Sequence, residues 1–319
     1  MSIFGRKKRN KKEFESYAPM PQELVEKRRH EQEQKLLRRR VNIETFDDTL
    51  RRIANNKHLH LLTDAATEAT YIVEEGFFTD AVARFRDTRI SFEENLTLIT
   101  AARYAPNKKT GVLNFANPIE PGGGVLRGAD AQEEYLCRAS NLYLCLSGKN
   151  AAPYYADNKR RRDVRSDARI FLASDKIVYS PGVTVFRKDS GYLPYDDIKH
   201  IGVSKQEYSD NWFSVDILTC AAPILFEEKT TLPEGLIHGI FCKRIRNVFE
   251  AAMDNDIEVL VLGAFGCGAF HNPPEIVAAA FHDVLSENRY RNAFSDVVFT
   301  VKRTGWHCGN IEAFEKRFH

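Results

Sequence analysis

The sequence predicts a three-layer α/β fold: a mixed, mainly parallel sheet flanked by helices, preceded by an N-terminal helical extension. Strand-length runs alternate with helix-length segments, and parallel strands require such crossovers, which cover both faces of the sheet. Runs such as Ile257 to Phe265 read as buried strands. Residues 1–40, by contrast, hold thirteen Lys/Arg and six Glu among few apolar residues, as an exposed extension would.

In chain order, "GRKKRNKK" from Gly5 is a basic cluster that reads as an import signal, an acidic-surface binder or a solvated tail. The segment from Pro21 has proline at a first helical position and good helix formers. From Phe46, helical spacing of Leu50, Ile53, Ala54 and then Ala65, Ala69, Ile72 and Val73 predicts core-packing helices. "LTLITAA" from Leu96 and "GVLNFAN" from Gly111 read as strands, and "KIVYSPGVTVFR" from Lys176 as two short strands punctuated by Pro181-Gly182. "FSVDILTCAAP" from Phe213 is a strand ending in a proline loop. A long amphipathic helix follows Pro233, then the strand "IEVLVLGAFG". Asn272 is the expected N-cap of the next helix, with Pro273 in its first turn and Ile276, Val277, Ala280, Phe281, Val284 and Leu285 on its apolar face. "DVVFTVKR" closes the series. Ligands of such sheets bind beyond the carboxyl ends of the strands.

A chain of 319 residues with 43% hydrophobic content can bury an ordinary core. Its apolar runs are too short to span a bilayer and its start is charged, so the expectation is a soluble protein of cytoplasm or nucleus. Six cysteines without C-x-x-C spacing read as buried thiols; Cys308 beside His307 lacks a second ligand pair for zinc. The net charge of +2 divides into +7 on residues 1–40 and −5 on the remainder, so the body's overall field does not select for nucleic acid.

Two glycine-rich segments carry the chemistry. In "NFANPIEPGGGVLRGADAQEEYL", Gly122, Gly123 and Gly124 permit close approach of main chain to a ligand, and Gln132-Glu133-Glu134 opens a helix. Asp130 stands three residues before Glu133, the spacing of a capping box, so Glu133 has a structural explanation that Glu134 cannot share. A helix N-terminus favours the carboxylate and burial favours the acid, a balance suited to a group that gives and retakes a proton. The second segment, "GAFGCGAFHNPP" from Gly263, joins a strand to a helix and offers main-chain N–H groups for a diphosphate. Its G-x-x-G-x-G spacing is neither the dinucleotide fingerprint nor a P-loop. Phe265 reads as core, and Phe270 is placed to lie over a sugar or base.

Asn114 to Glu134 resembles the catalytic segment of poly(ADP-ribose) glycohydrolases, which are macrodomain proteins. "IVYSPGVTVFRKDSG" from Ile177, "DILTCAAP" from Asp216 and the loop from Gly263 resemble the bacterial-type branch, over residues 45–319, with residues 1–44 as a separate basic extension. Ile224 departs from an expected Asn. The resemblance implies a macrodomain-like fold and hydrolysis of ribose–ribose bonds in poly(ADP-ribose), mainly from the free end. It implies Glu134 as general acid/base, Glu133 positioning sugar hydroxyls and Asn117 on the terminal ribose. Gly123 and Gly124 would lie along the diphosphate, Phe270 would pack on the terminal ribose, Gln132 would help hold the loop and adenosine side, and Gly122, Gly266, Cys267, Gly268 and Ala269 would complete substrate binding. No cofactor or metal is implied. The implied partners are poly(ADP-ribose), ADP-ribose and ADP-ribosylated proteins, with no membrane and no required nucleic acid, in ADP-ribosylation reversal and the DNA damage response. The alternatives are a non-catalytic ADP-ribose reader, against which Gln132-Glu133-Glu134 argues, and a mono-ADP-ribosyl hydrolase.

His238 and His282 read as surface or satisfied core histidines, and Trp212 and Trp306 as core anchors. "NKRRRDVRSDAR" from Asn158 reads as a solvated loop or a contact for the anionic polymer.

Overall fold

The computed structural model describes residues 21–165, 167, 169–187, 208–225, 232–303 and 308–319. The basic run from Gly5, Trp306, His307, the Cys308 side chain and the end of the Ile177 motif lie outside them. Two units divide the chain, the first ending at Leu37 and the second running from Arg38 to His319. Helix α1 (Gln22–Asn55) continues unbroken past residue 44.

The elements of the second unit follow α1 in order: α2 (Lys57–Ala69), β1 (Tyr71–Val73), β2 (Arg89–Glu93), α3 (Thr97–Tyr104), β3 (Thr110–Phe115), a 3₁₀ turn (Val125–Arg127), α4 (Gln132–Ala139), α5 (Leu142–Ser147), α6 (Ala152–Asp163) and β4 (Ile170–Phe171). Then come β5 (Ile177–Arg187), β6 (Tyr208–Cys220), β7 (Ile224–Leu225), α7 (Glu234–Asp254), β8 (Val259–Gly263), α8 (Pro274–Ser286), β9 (Asp296–Thr300) and α9 (Cys308–Phe318). Seven strands form one sheet in the order β1-β5-β6-β3-β8-β9-β2. The pairs β6–β3, β3–β8, β8–β9 and β9–β2 are parallel, and β5 is antiparallel to both neighbours.

Alternation along the central strands builds two cores. Leu113, Leu218, Leu260 and Leu262 face α7 and α8, packing with Phe241, Phe249, Val277 and Phe281. Their neighbours Val112, Ile217 and Val261 face the other way, toward Phe46, Leu98, Ala101, Leu136 and Leu142. One residue of strand therefore feeds each helical layer in turn. Among the described residues no helix is long and apolar enough to cross a membrane.

Several sequence expectations need correction. The Leu96 run is not a strand but α3, whose buried residues Thr97, Leu98, Thr100 and Ala101 follow helical spacing. Ile72 and Val73 belong to β1. Ala54, Ala65 and Ala69 are exposed, and α2 packs through Leu59, Thr63 and Ala66. The Lys176 run forms the single strand β5, whose register shifts between Ser180 and Val183 as a bulge absorbs Pro181-Gly182. Pro273, not Asn272, occupies the N-cap of α8. The arginine run is the last turn of α6, where cations suit the helix dipole, and Arg160 and Arg161 pair with Asp157 while Arg161 also reaches Glu75. Cys137, Cys145, Cys220, Cys242 and Cys267 are buried free thiols. Trp212 packs beside Phe186 and His58, and His238 pairs with Asp283.

Arg244 of α7 is buried at 1% exposure, where its guanidinium meets Asp175 at 2.9 Å and donates to the carbonyls of Ala221, Leu172 and Ala173. Burial alone would raise the Asp175 carboxyl; the charges of Arg244 and Lys243 outweigh it and hold it below the usual range. Such a contribution is complete above the unfolded value of about 3.9 and is lost as pH falls through the lower folded value. Arg244→Met should cost about 1–3 kcal/mol at pH 7, because the Ala221, Leu172 and Ala173 carbonyls lose their donor and Asp175 keeps only Lys243. The difference between wild type and variant should shrink below about pH 4. Urea titrations at the two pH values check it; a pH-independent difference would count against the ion pair.

Candidate active site

Parallel pairing brings the carboxyl ends of β3, β6, β8 and β9 to one edge. Beyond that edge lies a cleft of ≈ 480 Å³, lined by Phe115 at the end of β3 and Asn117 after it, Ala222 after β6, Ala264–Phe270 without Cys267 after β8, and Thr300–Lys302 at β9. Gln132, Glu133 and Glu134 enter it from the first turn of α4. A groove of ≈ 550 Å³ beside His58 and Trp212 has no carboxylate in its lining.

The two acids exchange the roles that their spacing suggested. Glu134, not Glu133, folds back over the helix start: its Oε2 accepts the Ala131 N–H at 3.0 Å and its Oε1 the Gly124 N–H at 2.8 Å. The cap begins one residue later because Asp130 is turned toward Arg138, 3.0 Å away. Glu133 instead accepts the Asn117 N–H at 2.7 Å on Oε2, and Asn114 Nδ2 stands 3.4 Å from its Oε1. Glu134 keeps 7% exposure and Glu133 3%.

Gly122, Gly123 and Gly124 form the turn beside the two cleft acids. The triplet wraps the carboxylates. A Cβ on Gly123 would lie 2.5 Å from Glu134 Oε1 and 2.9 Å from Glu133 Oε2, and its φ of +59° is left-handed. Gly124 contributes its N–H to Glu134, and Gly122 packs against Tyr143 and Cys137.

Burial pushes the Glu133 carboxyl well above the usual carboxylate range; the Asn117 N–H opposes this and the Glu134 charge reinforces it. A carboxyl raised in the folded chain binds its proton more tightly there than when unfolded. Stability therefore falls as pH climbs from the unfolded value of about 4.3 toward the folded one. Glu133→Gln removes that dependence while keeping a carbonyl oxygen for the Asn117 N–H. The variant should be at least as stable as wild type at pH 8, with a smaller gap at pH 5. Denaturation midpoints at both pH values test this, and a variant less stable at pH 8 would contradict it.

Gln132 is engaged by strand β3: its Oε1 accepts the Phe115 N–H at 2.9 Å and its Nε2 donates to the Leu113 carbonyl at 2.8 Å. It docks α4 on the sheet at the margin of the cleft. Asn117 turns its Oδ1 to the N–H groups of Ile119 and Glu120, shaping the entry to the glycine triplet.

The second loop is braced from below. Asn272 Nδ2 donates to the carbonyls of Pro223 (2.7 Å) and Gly266 (2.9 Å), and the Phe270 carbonyl accepts from Leu225 N. Ile224 is buried in β7 opposite Phe171, so an apolar residue fits this position. Gly268 faces open space, whereas the Cys267 thiol is buried. Phe265 is core, packed on Phe115 and Phe241, and also borders the cleft; Phe270 is half-buried at its wall. Among the described residues no group of three or more His, Cys, Asp or Glu could hold a metal ion.

Asn95, Leu96, Thr97, Tyr135, Lys302 and Asn310 also line the cleft and were not singled out in the sequence. One signal existed for Lys302: it follows the carboxyl end of a parallel strand. Asn95 and Leu96 were hidden by the strand reading of their segment.

A mixed, mainly parallel sheet between two helical layers, with paired acids at its carboxyl edge, is a macrodomain-like arrangement. Residues 8–188, more than half of the chain, match the family described as microbial-type PARG, catalytic domain. The crystal structure of poly(ADP-ribose) glycohydrolase from Thermomonospora curvata matches with 29% identity over 88% of this chain and 100% of that one, at a TM-score of 0.73. The same protein bound to the inhibitor ADP-HPD gives 0.71 over the same spans. A Deinococcus radiodurans poly(ADP-ribose) glycohydrolase in complex with ADP-ribose gives 29% identity over 80% and 96%, at 0.66. No curated protein sequence matches. The chain belongs to the microbial-type poly(ADP-ribose) glycohydrolase family, hydrolases of glycosidic bonds in poly(ADP-ribose).

Proposed function

We propose that Glu134 is the general acid/base that cleaves the ribose–ribose bond of poly(ADP-ribose), acting mainly from the free end. The observation that carries this reading is its carboxyl group, held in the cleft by the Gly124 and Ala131 N–H groups. Glu134 gives its proton to the leaving ribose oxygen as the C–O bond breaks. The sugar passes through an oxocarbenium-like state, and the carboxylate then takes a proton from the attacking water. The diphosphate, seated against main chain of the Gly266–Phe270 loop, offsets the positive charge of that state. Phe270 packs on the terminal ribose and Asn117 hydrogen-bonds it, while buried Glu133 fixes the hydroxyls at the same bond. The cleft volume is in the range of a nucleotide-sized ligand site.

The test is purified protein with end-labelled poly(ADP-ribose) and product analysis over time. Release of ADP-ribose as the first product supports free-end action; oligomers as first products would overturn that part. Binding of the polymer without release would replace the enzyme by a reader.

A further inference from the structure

The acid is not held by its own loop alone. Residues Gly124–Ala131 carry both N–H groups that clasp Glu134, and the Ala129 N–H bonds the Gly124 carbonyl at 3.1 Å, tying the two ends of this segment together. The back of the segment rests on the part of α1 within the second unit. Asn42, fully buried, donates from Nδ2 to the Gly128 carbonyl at 3.1 Å and approaches the Ala129 carbonyl at 3.5 Å. Gly128 has φ +70° and sits so close to α1 that a Cβ there would overlap the Arg39 carbonyl. Arg138, also fully buried, donates to the same Ala129 carbonyl at 2.7 Å and to Asp130, while Thr49 of α1 donates to the Arg138 carbonyl at 2.6 Å.

We infer that Asn42 is a positioning residue for the reaction: from α1 it sets the Gly128–Ala129 peptides, and through them the N–H pair that aims the Glu134 carboxyl. This rests on the reading of Glu134 as the acid. The chain of contact is continuous, from Asn42 Nδ2 to the Gly128 and Ala129 carbonyls, from Ala129 N–H to the Gly124 carbonyl, and from Gly124 N–H to Glu134 Oε1. Asn42 is not itself among the described residues that line the cleft. Removing its amide lets the loop relax on α1 and shifts the acid by a fraction of an ångström, enough to slow a step that depends on near-attack geometry.

The experiment compares wild type, Asn42→Ala, Glu134→Gln and the double variant on labelled poly(ADP-ribose), with kcat and KM measured separately. The temperature is one at which circular dichroism shows each protein folded. Asn42→Ala should lower kcat about 10- to 100-fold with KM within about twofold. It should cost nothing further in the Glu134→Gln background, because both changes act on the same group. Asn42→Ser carries the same comparison if Asn42→Ala does not fold. An unchanged kcat overturns the inference, as does an equal loss in both backgrounds, which a purely structural contact would produce. Full activity of Glu134→Gln alone would instead overturn the reading of Glu134.

Discussion

Glu134→Gln should lower kcat on poly(ADP-ribose) by about 10²–10⁴-fold, the loss expected when a positioned general acid disappears. ADP-ribose should still bind. The replacement is nearly isosteric, yet both Glu134 oxygens accept main-chain N–H groups, and glutamine brings only one acceptor. One of the two N–H groups is left facing an amide N–H₂, so the variant should also lose about 1–3 kcal/mol of stability. Assays must therefore be run well below its melting temperature, with turnover and unfolding followed on the same sample. Retention of the full rate would remove Glu134 from the mechanism, whatever the stability change.

The second large effect is expected at Gly123. Alanine there is opposed twice: the left-handed φ of +59° costs about 1–2 kcal/mol, and the new methyl group falls within 3 Å of both carboxylates. The methyl group cannot be relieved by a side chain swinging away, because Glu134 is tied by the Gly124 and Ala131 N–H groups and Glu133 by Asn117. Displacement of the acid by about an ångström should cost on the order of 10²-fold in kcat. Gly268→Ala is the matched control, since a Cβ at that position meets no protein atom within 4 Å. It should leave the melting temperature unchanged while raising KM if substrate fills that space. Equal behaviour of the two variants would mean that the glycine triplet is only a turn.

Much of this architecture was legible in residue patterns. The continuous run of β8 and the helix after it could hardly be read otherwise, and the glycine–glutamate segment marks the two acids in the sequence itself. What escaped was set by distant contacts. Leu96 to Ala102 is rich in β-branched residues, and its helical state follows from packing Leu98 and Ala101 into the core above Val112 and Val261. The capping box could not be assigned from spacing alone, because Arg138 competes for Asp130 and leaves the cap to Glu134. The side-chain order around the cleft depends on which strands are neighbours. That order places residues 115, 222, 264 and 300 together although they are far apart in sequence.

The anchoring of Glu134 by peptide N–H groups has a consequence for how such a protein can change. Every amino acid except proline supplies the same N–H, so the identity at position 131 can drift without deleting its donor, whereas a Cβ at position 124 would lie 2.7 Å from that of Ala129 and favours glycine. The side chains that line the cleft and the peptide groups that secure the Glu134 carboxyl are thus largely separate sets. A laboratory selection could remodel Asn95, Lys302 or Phe270 toward another ligand while the hold on the Glu134 carboxyl is inherited intact.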